Sequence, residues 1–92
     1  MDIVFTTHGW EDFTYRLEND PDKALRIKEL LKAIRQDPFK GIGKPEPLRH
    51  DLKGWWSRRI TGEDRLVYRV IGTKSVDQRC QIIQCRLHYD NK

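Results

Sequence analysis

The sequence is poor in cysteine and has no long apolar run. Its only two cysteines, Cys80 and Cys85, stand five positions apart in a strand-like segment. That odd spacing would place the thiols on opposite faces of an extended strand, so we expect no disulfide and a reducing, cytoplasmic compartment. No apolar run approaches the roughly 18 residues of a membrane span, and no secretory signal is recognisable. We therefore expect that the chain neither spans a membrane nor carries a signal peptide.

Signatures of bound cofactors are also missing. The sequence contains no Gly-rich phosphate-binding motif, no internal repeat and no cluster of metal ligands. Its three histidines, His8, His50 and His88, are scattered, and a lone histidine is more often a surface or capping residue than a ligand. A domain of 92 residues also has a thin core with little room for a large group. We expect neither a metal ion nor another cofactor.

The charge balance is moderately basic. Eighteen lysines and arginines against fourteen acidic residues give a formal net charge of +4. Such an excess favours an anionic partner, which is a nucleic acid, an acidic protein segment or a membrane surface. The size of the excess does not choose among these three.

The first part of the chain predicts one strand and two helices. Residues 2–6 form a β-branched run, and Thr7 is expected to cap a helix. The core-facing stripe of this helix would consist of Trp10, Phe13 and Leu17. Asp20-Pro21 starts the second helix, whose apolar positions are Ile27, Leu30, Leu31 and Ile34. The basic residues between them indicate a solvated face whose edge can contact phosphate, with an RNA-binding ridge as the alternative.

A long loop over residues 39–54 contains Glu46 between Pro45 and Pro47. The prolines restrict the backbone on both sides of the glutamate and predict an ordered, extended loop. Loops of about 16 residues in a compact domain are usually functional or disordered. Glu46 is either a placed functional carboxylate or, as is commoner, a solvated one.

Three antiparallel strands are predicted after this loop, over residues 55–60, 65–71 and 81–89. By alternation, one face of the second strand carries Leu66, Tyr68 and Val70. From the last strand, the core would receive Ile83, Cys85 and Leu87, and the outer face Gln84, Arg86 and His88.

The first hairpin is expected to bring two arginines together. If Arg59 pairs with Arg65, both guanidinium groups lie on the outer face. Directly opposed like charges repel each other unless an anion lies between them, which favours an anion site. Ion pairs with Glu63 or Asp64 are the alternative.

Four blocks of the sequence resemble the YoeB (Txe) toxins of the RelE-like superfamily. They are Gly43-Lys44-Pro45-Glu46-Pro47-Leu48, Trp56-Ser57-Arg58-Arg59-Ile60-Thr61, Arg65-Leu66-Val67-Tyr68 and Cys85-Arg86-Leu87-His88-Tyr89. The likeness covers nearly the whole chain. It implies a single α+β domain over residues 1–92, with two N-terminal helices packed on a twisted antiparallel sheet as in microbial ribonucleases.

The resemblance also implies an activity and partners. The expected protein is the toxin of a type II toxin–antitoxin system, an endoribonuclease that cuts messenger RNA in the ribosomal A site without a metal and inhibits translation. It would form homodimers, be neutralised by a YefM-type antitoxin and reach operator DNA only through that antitoxin. The alternatives are a non-catalytic RNA or ribosome binder that blocks translation by occupancy, and a module that acts mainly with its antitoxin on DNA.

Matching the motifs residue by residue gives the expected site. The catalytic residues would be Glu46, Arg59, Arg65, His88 and Tyr89. Glu46 would be the general base and His88 the general acid, while Arg65, assisted by Arg59, would hold the phosphate oxygens. Tyr89 would position the RNA by stacking or by a hydrogen bond. Contacts with the RNA are also expected from Lys44, Arg49, Lys53, Arg58 and Arg86.

Overall fold

A computed structural model describes residues 1–86, and in this range two helices pack against a five-stranded sheet. The elements are β1 (Asp2–Phe5), α1 (Thr7–Asn19), α2 (Pro21–Gln36), β2 (Glu46–Pro47), a 3₁₀ turn (His50–Leu52), β3 (Trp56–Arg59), β4 (Arg65–Ile71) and β5 (Arg79–Gln84). The predicted α+β class is confirmed. Within the described range, no helix is long and apolar enough to cross a membrane.

The sheet has the strand order β1-β5-β4-β3-β2. Neighbouring strands from β2 to β5 are antiparallel, whereas β1 runs parallel to β5, with Asp2 opposite Arg79. The expected antiparallel sheet is therefore present, with one parallel neighbour added at its edge. A parallel neighbour needs a long connection, and the chain between β1 and β5 supplies one that contains both helices.

Helix α1 begins one residue earlier than the sequence predicted. The N-cap is Thr6, not Thr7, and the Thr6 hydroxyl accepts a hydrogen bond from the Gly9 amide at 3.0 Å. Gly9 lies directly against β5, where a Cβ atom would stand 2.4 Å from the Ile82 carbonyl oxygen. The first turn of α1 can approach the sheet this closely only because residue 9 has no side chain.

The inner face of α1 also differs from the prediction. Only Phe13 of the expected stripe is buried, while Trp10 is 52% and Leu17 43% exposed. Trp10 instead covers the margin of the core, with its ring near those of Phe5 and Phe13. The helix turns two charged residues inward, Asp12 and Arg16, because each has polar partners elsewhere in the fold.

Helix α2 follows the predicted pattern. Asp20 and Pro21 mark its start, and Ile27, Leu30 and Ile34 are fully buried in the core between α2 and the sheet. The expected i, i+3, i+4, i+7 spacing is thus confirmed, with Leu31 at the margin.

A bulge in β5 changes which of its residues face the core. Val67 pairs with Gln84 and Tyr68 with Ile82, so Ile83 is an extra residue without an opposite partner. Ile82 therefore fills the core position predicted for Ile83. The extra residue also brings Cys80 and Cys85 to the same face, where both are free and fully buried. No disulfide joins them, as expected, but the reason is not the one that the spacing suggested.

Candidate functional site

The candidate site lies on the face of the sheet that the helices do not cover, which we call the outer face. One row across it consists of Glu46, Ser57, Val67 and Gln84, contributed by β2, β3, β4 and β5 in turn. Directly opposed residues in a sheet share a face. The predicted alternation is confirmed in that Ser57 and Gln84 share a face, but the β4 member of the row is the apolar Val67, and Ser57 and Val67 are both buried.

Glu46 sits on the short edge strand β2, in an ordered and extended segment as predicted. The Gly43 carbonyl accepts a hydrogen bond from the Arg59 amide at 2.7 Å, and the Leu48 amide donates one to the Trp55 carbonyl at 2.9 Å. Both ends of the segment are therefore fastened to β3, while the Glu46 side chain remains exposed. The backbone therefore holds the Glu46 carboxylate at a defined position, as a catalytic carboxylate requires.

Arg59 and Arg65 are directly opposite each other, as the hairpin predicted. Arg65 is only 8% exposed, and its Nη1 donates to the carbonyls of Thr61, Gly62 and Asp64 at 3.0–3.2 Å. Arg59 is exposed. One member of the pair is thus held rigidly by its own turn, and the other is free to extend from the surface.

The proposed neutralisation of these arginines by acidic residues of the turn is not observed. The carboxylate of Asp64 pairs instead with Arg16 at 2.9 Å and with Lys23 at 3.3 Å. Glu63 makes none of the ion pairs found among residues 1–86. The opposed cations therefore keep their capacity to bind an anion.

The register of the sheet places Glu46 near the arginine pair. Glu46 is opposite Ser57, and Arg59 is two residues further along β3. With ordinary strand spacings, the Cα atoms of Glu46 and Arg59 are about 8 Å apart, and those of Glu46 and Arg65 about 12 Å. The exposed Arg59 side chain is long enough to span its gap, whereas the Arg65 guanidinium is held over its own turn.

Arg58 does not belong to this site, and the prediction that it contacts RNA is wrong. Its side chain points to the core and is fully buried. Nε donates to the Tyr68 hydroxyl, and the two terminal nitrogens donate to three loop carbonyls, those of Asp37, Lys40 and Ile42. Arg58 is therefore a structural residue that fastens the loop after α2.

The remaining RNA-contact predictions have different outcomes. Lys44, Arg49 and Lys53 are exposed on the segments around β2 and the 3₁₀ turn. Arg86 does not join Gln84 on the outer face, because its guanidinium carbon lies 3.5 Å from the ring centroid of Tyr15 on α1. His88 and Tyr89 lie outside the described residues.

The outer face also contains Arg69, which alternation placed there but which was not among the predicted site residues. Arg69 shares the face of Arg65, its guanidinium carbon lies 4.5 Å from the centroid of the Trp55 ring, and its Nε donates to Gln81 at 2.8 Å. The alternation along β4 was the signal that could have identified it. No cluster of three or more His, Cys, Asp or Glu suited to a metal ion occurs within residues 1–86.

Comparisons with known proteins identify the class of this domain. A family model for the YoeB-like toxin of bacterial type II toxin–antitoxin systems matches residues 5–89. The class is thus the small toxins of those systems. Toxin YoeB of Streptomyces coelicolor is 51% identical over 97% of this chain and 100% of its own length. The chain belongs to the YoeB toxin family.

Solved structures agree with this assignment. A YoeB/ParE toxin from Agrobacterium tumefaciens superposes with a TM-score of 0.91 at 45% identity, covering 97% of this chain and 100% of that one. A YoeB dimer and a YoeB–YefM complex from Staphylococcus aureus each give a TM-score of 0.84, at 41% and 39% identity, covering 97% of this chain and 98% of theirs. The RelE-like fold inferred from the sequence is confirmed.

Proposed function

We propose that this YoeB-family toxin is a ribosome-dependent endoribonuclease that cuts messenger RNA in the A site and so inhibits translation. The observation that carries the proposal is the outer face of the sheet. There, Glu46 on a fastened edge strand lies beside two directly opposed arginines, Arg59 and Arg65, that the acidic residues of their turn do not neutralise. Such an arrangement suits in-line displacement at a phosphodiester.

The chemistry uses the nucleophile of the substrate itself. Glu46 takes the proton of the ribose 2′-hydroxyl as its oxygen forms a bond to phosphorus, and the bond from phosphorus to the 5′-oxygen breaks. His88 gives a proton to that leaving oxygen, which suits a group with an ordinary pKa of about 6.5. The products are a 2′,3′-cyclic phosphate, which can open to a 3′-phosphate, and a 5′-hydroxyl.

The arginines take the part that a metal ion plays in other nucleases. Arg65 is held by three carbonyl groups and Arg59 is exposed beside it, so both can donate to the non-bridging oxygens as charge develops on them. A guanidinium does this with two parallel hydrogen bonds, which a lysine cannot reproduce. In this proposal Tyr89 stacks on a base or hydrogen-bonds to the RNA.

Binding to the ribosome is proposed to rest on the exposed basic residues around β2. Lys44, Arg49 and Lys53 flank Glu46 in the chain, where they can contact phosphates of messenger or ribosomal RNA. Contacts of this kind carry little sequence information and weaken steeply with salt.

The proposal extends to regulation and assembly. A YefM-type antitoxin would neutralise the toxin by placing acidic and apolar residues of its tail over Arg59 and Arg65, folding as it binds. The YoeB–YefM complex and the YoeB dimer of S. aureus support such a partner and a homodimer. Operator DNA would be contacted only through the antitoxin, and the compartment would be the cytoplasm.

One cleavage experiment tests the proposal. A defined messenger RNA, naked or in programmed ribosomes, is incubated with wild type, Glu46→Ala or the control Glu63→Ala, which removes an exposed carboxylate from the β3–β4 turn. We expect A-site cuts only on the ribosome, slowed by roughly 10²–10⁴-fold in Glu46→Ala and unchanged in Glu63→Ala.

Three other results would contradict it. Equal cutting of naked RNA would indicate a general ribonuclease. Ribosome binding without cuts by the wild type would favour inhibition by occupancy. Undiminished cutting by Glu46→Ala would remove the assigned base.

A further inference from the structure

Arg16 of α1 is a buried cation that the proposed chemistry does not use. It is 5% exposed, and its Nη1 donates to the Asp20 carboxylate at 3.0 Å. Its Nη2 donates to the Asp64 carboxylate at 2.9 Å and also to the backbone carbonyl of Arg86. One guanidinium therefore ties together the start of α2, the β3–β4 turn and the chain just beyond β5.

Two of these contacts lead into the proposed active site. Asp64 immediately precedes Arg65, and its carbonyl accepts hydrogen bonds from the Arg65 Nη1 at 3.2 Å and from the Ile60 amide at 2.9 Å. The Asp64 carboxylate and the Arg65 guanidinium are thus parts of the same closed turn. Arg86 stands two residues before His88 in the chain.

Helix α1 holds this last stretch of the described chain by two further contacts. The buried carboxylate of Asp12 accepts a hydrogen bond from the Cys85 amide at 3.1 Å, and Tyr15 stacks against the Arg86 guanidinium. Because β5 ends at Gln84, these contacts fix the chain where the hydrogen bonds of the sheet no longer do.

We propose that Arg16 is a positioning residue for catalysis. It keeps the turn that carries Arg65 in register with the backbone at Arg86, which His88 follows two residues later in the sequence. The inference rests on the function proposed above. A guanidinium suits this task because its separate N–H groups reach different acceptors at once, whereas an ammonium is a single point donor.

The network around Arg16 allows the inference to be tested without unfolding the protein. Lys23 lies 3.3 Å from both carboxylates, Asp20 and Asp64, and its hydrogen bonds to them raise the pKa of its ammonium. The two carboxylates therefore keep a cation when Arg16 is changed. Arg16→Lys preserves the charge but cannot donate to all the acceptors of Arg16 at once. Asp20→Asn removes one carboxylate but leaves the contacts of Arg16 with Asp64 and Arg86.

The kinetic test separates the rate from binding. Cleavage in programmed ribosomes is measured under single-turnover conditions, with the ribosome concentration and the pH both varied. Displacement of a catalytic group by about 1 Å costs up to about 100-fold in rate. We expect Arg16→Lys to lose roughly 10–100-fold in rate with an unchanged half-saturating ribosome concentration, and Asp20→Asn to cut at nearly the wild-type rate. The basic limb of the pH profile, where a general acid such as His88 loses its proton, should change only in Arg16→Lys.

Amide hydrogen exchange provides a readout that does not depend on activity. In Arg16→Lys, exchange should rise together at residues 60–65 and at residues 85–86, with the core of α2 still protected. In Asp20→Asn both segments should exchange as in the wild type.

The outcomes distinguish this inference from the proposed function. Unchanged hydrogen exchange in Arg16→Lys would contradict the inference that Arg16 couples the two segments. Raised exchange with undiminished cleavage would overturn its catalytic role. A wild type that cuts nothing would overturn the proposed function and the catalytic role with it, while the exchange data would still decide whether Arg16 couples the two segments.

Discussion

Replacing Arg58 by lysine should remove much of the stability of the domain although it preserves the charge. The buried guanidinium donates four hydrogen bonds, at 2.7–3.1 Å, to uncharged oxygens of Tyr68, Asp37, Lys40 and Ile42. The ammonium of lysine is a single point donor and cannot reach acceptors on all sides. Each hydrogen bond of a charged group contributes about 1.5–3 kcal/mol, so the loss of two costs about 3–6 kcal/mol.

Set against a typical free energy of unfolding of about 5–15 kcal/mol, this loss is large. Thermal and urea unfolding should show it as a fall in melting temperature of at least about 12 °C for a domain of this size. Tyr68→Phe should cost somewhat less, about 2–4.5 kcal/mol for one charged and one neutral hydrogen bond, because it leaves the three loop carbonyls paired. In the wild type the Tyr68 hydroxyl also donates to the Pro38 carbonyl at 2.6 Å, and burial raises the pKa of this hydroxyl.

The adjacent arginine provides a matched control. Arg59→Lys alters an exposed residue on the opposite face and should change the free energy of unfolding by no more than about 0.5 kcal/mol. If Arg58→Lys proved equally harmless, the carbonyl contacts would contribute nothing to stability and the reasoning would be refuted.

Three further predictions concern stability. Gly43→Ala should destabilise by about 1–3 kcal/mol in urea unfolding, because φ is +84° and a Cβ would lie 2.7 Å from the Leu30 Cδ2. Thr6→Ala should cost about 1 kcal/mol in the same assay, because it removes the hydroxyl that caps α1. Burial raises the pKa of the Cys80 and Cys85 thiols from 9.0 to about 12, so only the unfolded chain gains from ionising them above pH 9. The free energy of unfolding should therefore fall by about 1.5 kcal/mol between about pH 8 and pH 9.5.

Each of these predictions has its own control. Gly54→Ala has a comparable φ of +95° but nothing within 4 Å of the new Cβ, and equal losses at both glycines would mean that the steric contact is unimportant. A loss in Thr7→Ala as large as at the preceding threonine would contradict the cap assignment. The variant with alanine at both cysteines should have a flatter pH profile, and an unchanged slope would assign the pH dependence to other groups.

The parts of the fold that the sequence predicted best are those where local signals agree. Strand β4 has the predicted bounds, Arg65–Ile71, because a turn-forming segment precedes it and glycine follows it. The burial of α2 followed from an apolar spacing that only a helix satisfies. The opposition of Arg59 and Arg65 followed from the length of the loop between them.

The charged residues whose burial was not predicted have hydrogen-bond partners far away in the sequence. Arg58 is buried because carbonyls 16 to 21 residues away surround it, and nothing in the local pattern shows them. Alternation did place Arg58 with Trp56 and Ile60, but arginines are rarely buried, so the residue type argued against the pattern. Asp12 and Arg16 likewise find their partners 73 and 48 residues away.

The bulge at Ile83 was not predicted for a different reason. Ile82 and Ile83 are both isoleucines, so apolar alternation fits either register. In the observed register, Tyr68 lies opposite Ile82 and Gln84 lies opposite Val67. The position of Cys85, and with it the direction in which the chain leaves the sheet, depends on this one extra residue.

The strand order also determines when the sheet can form during synthesis. Of the five strands, β5 is made last, yet it lies between β1 and β4. A nascent chain extended only to Ile71 has no partner for β1, and α1 lacks the strand against which Gly9 packs. A messenger that is broken or terminated before the codon for Arg79 therefore yields a polypeptide that lacks β5 and its pairings with β1 and β4, in which the row ending at Gln84 is never assembled.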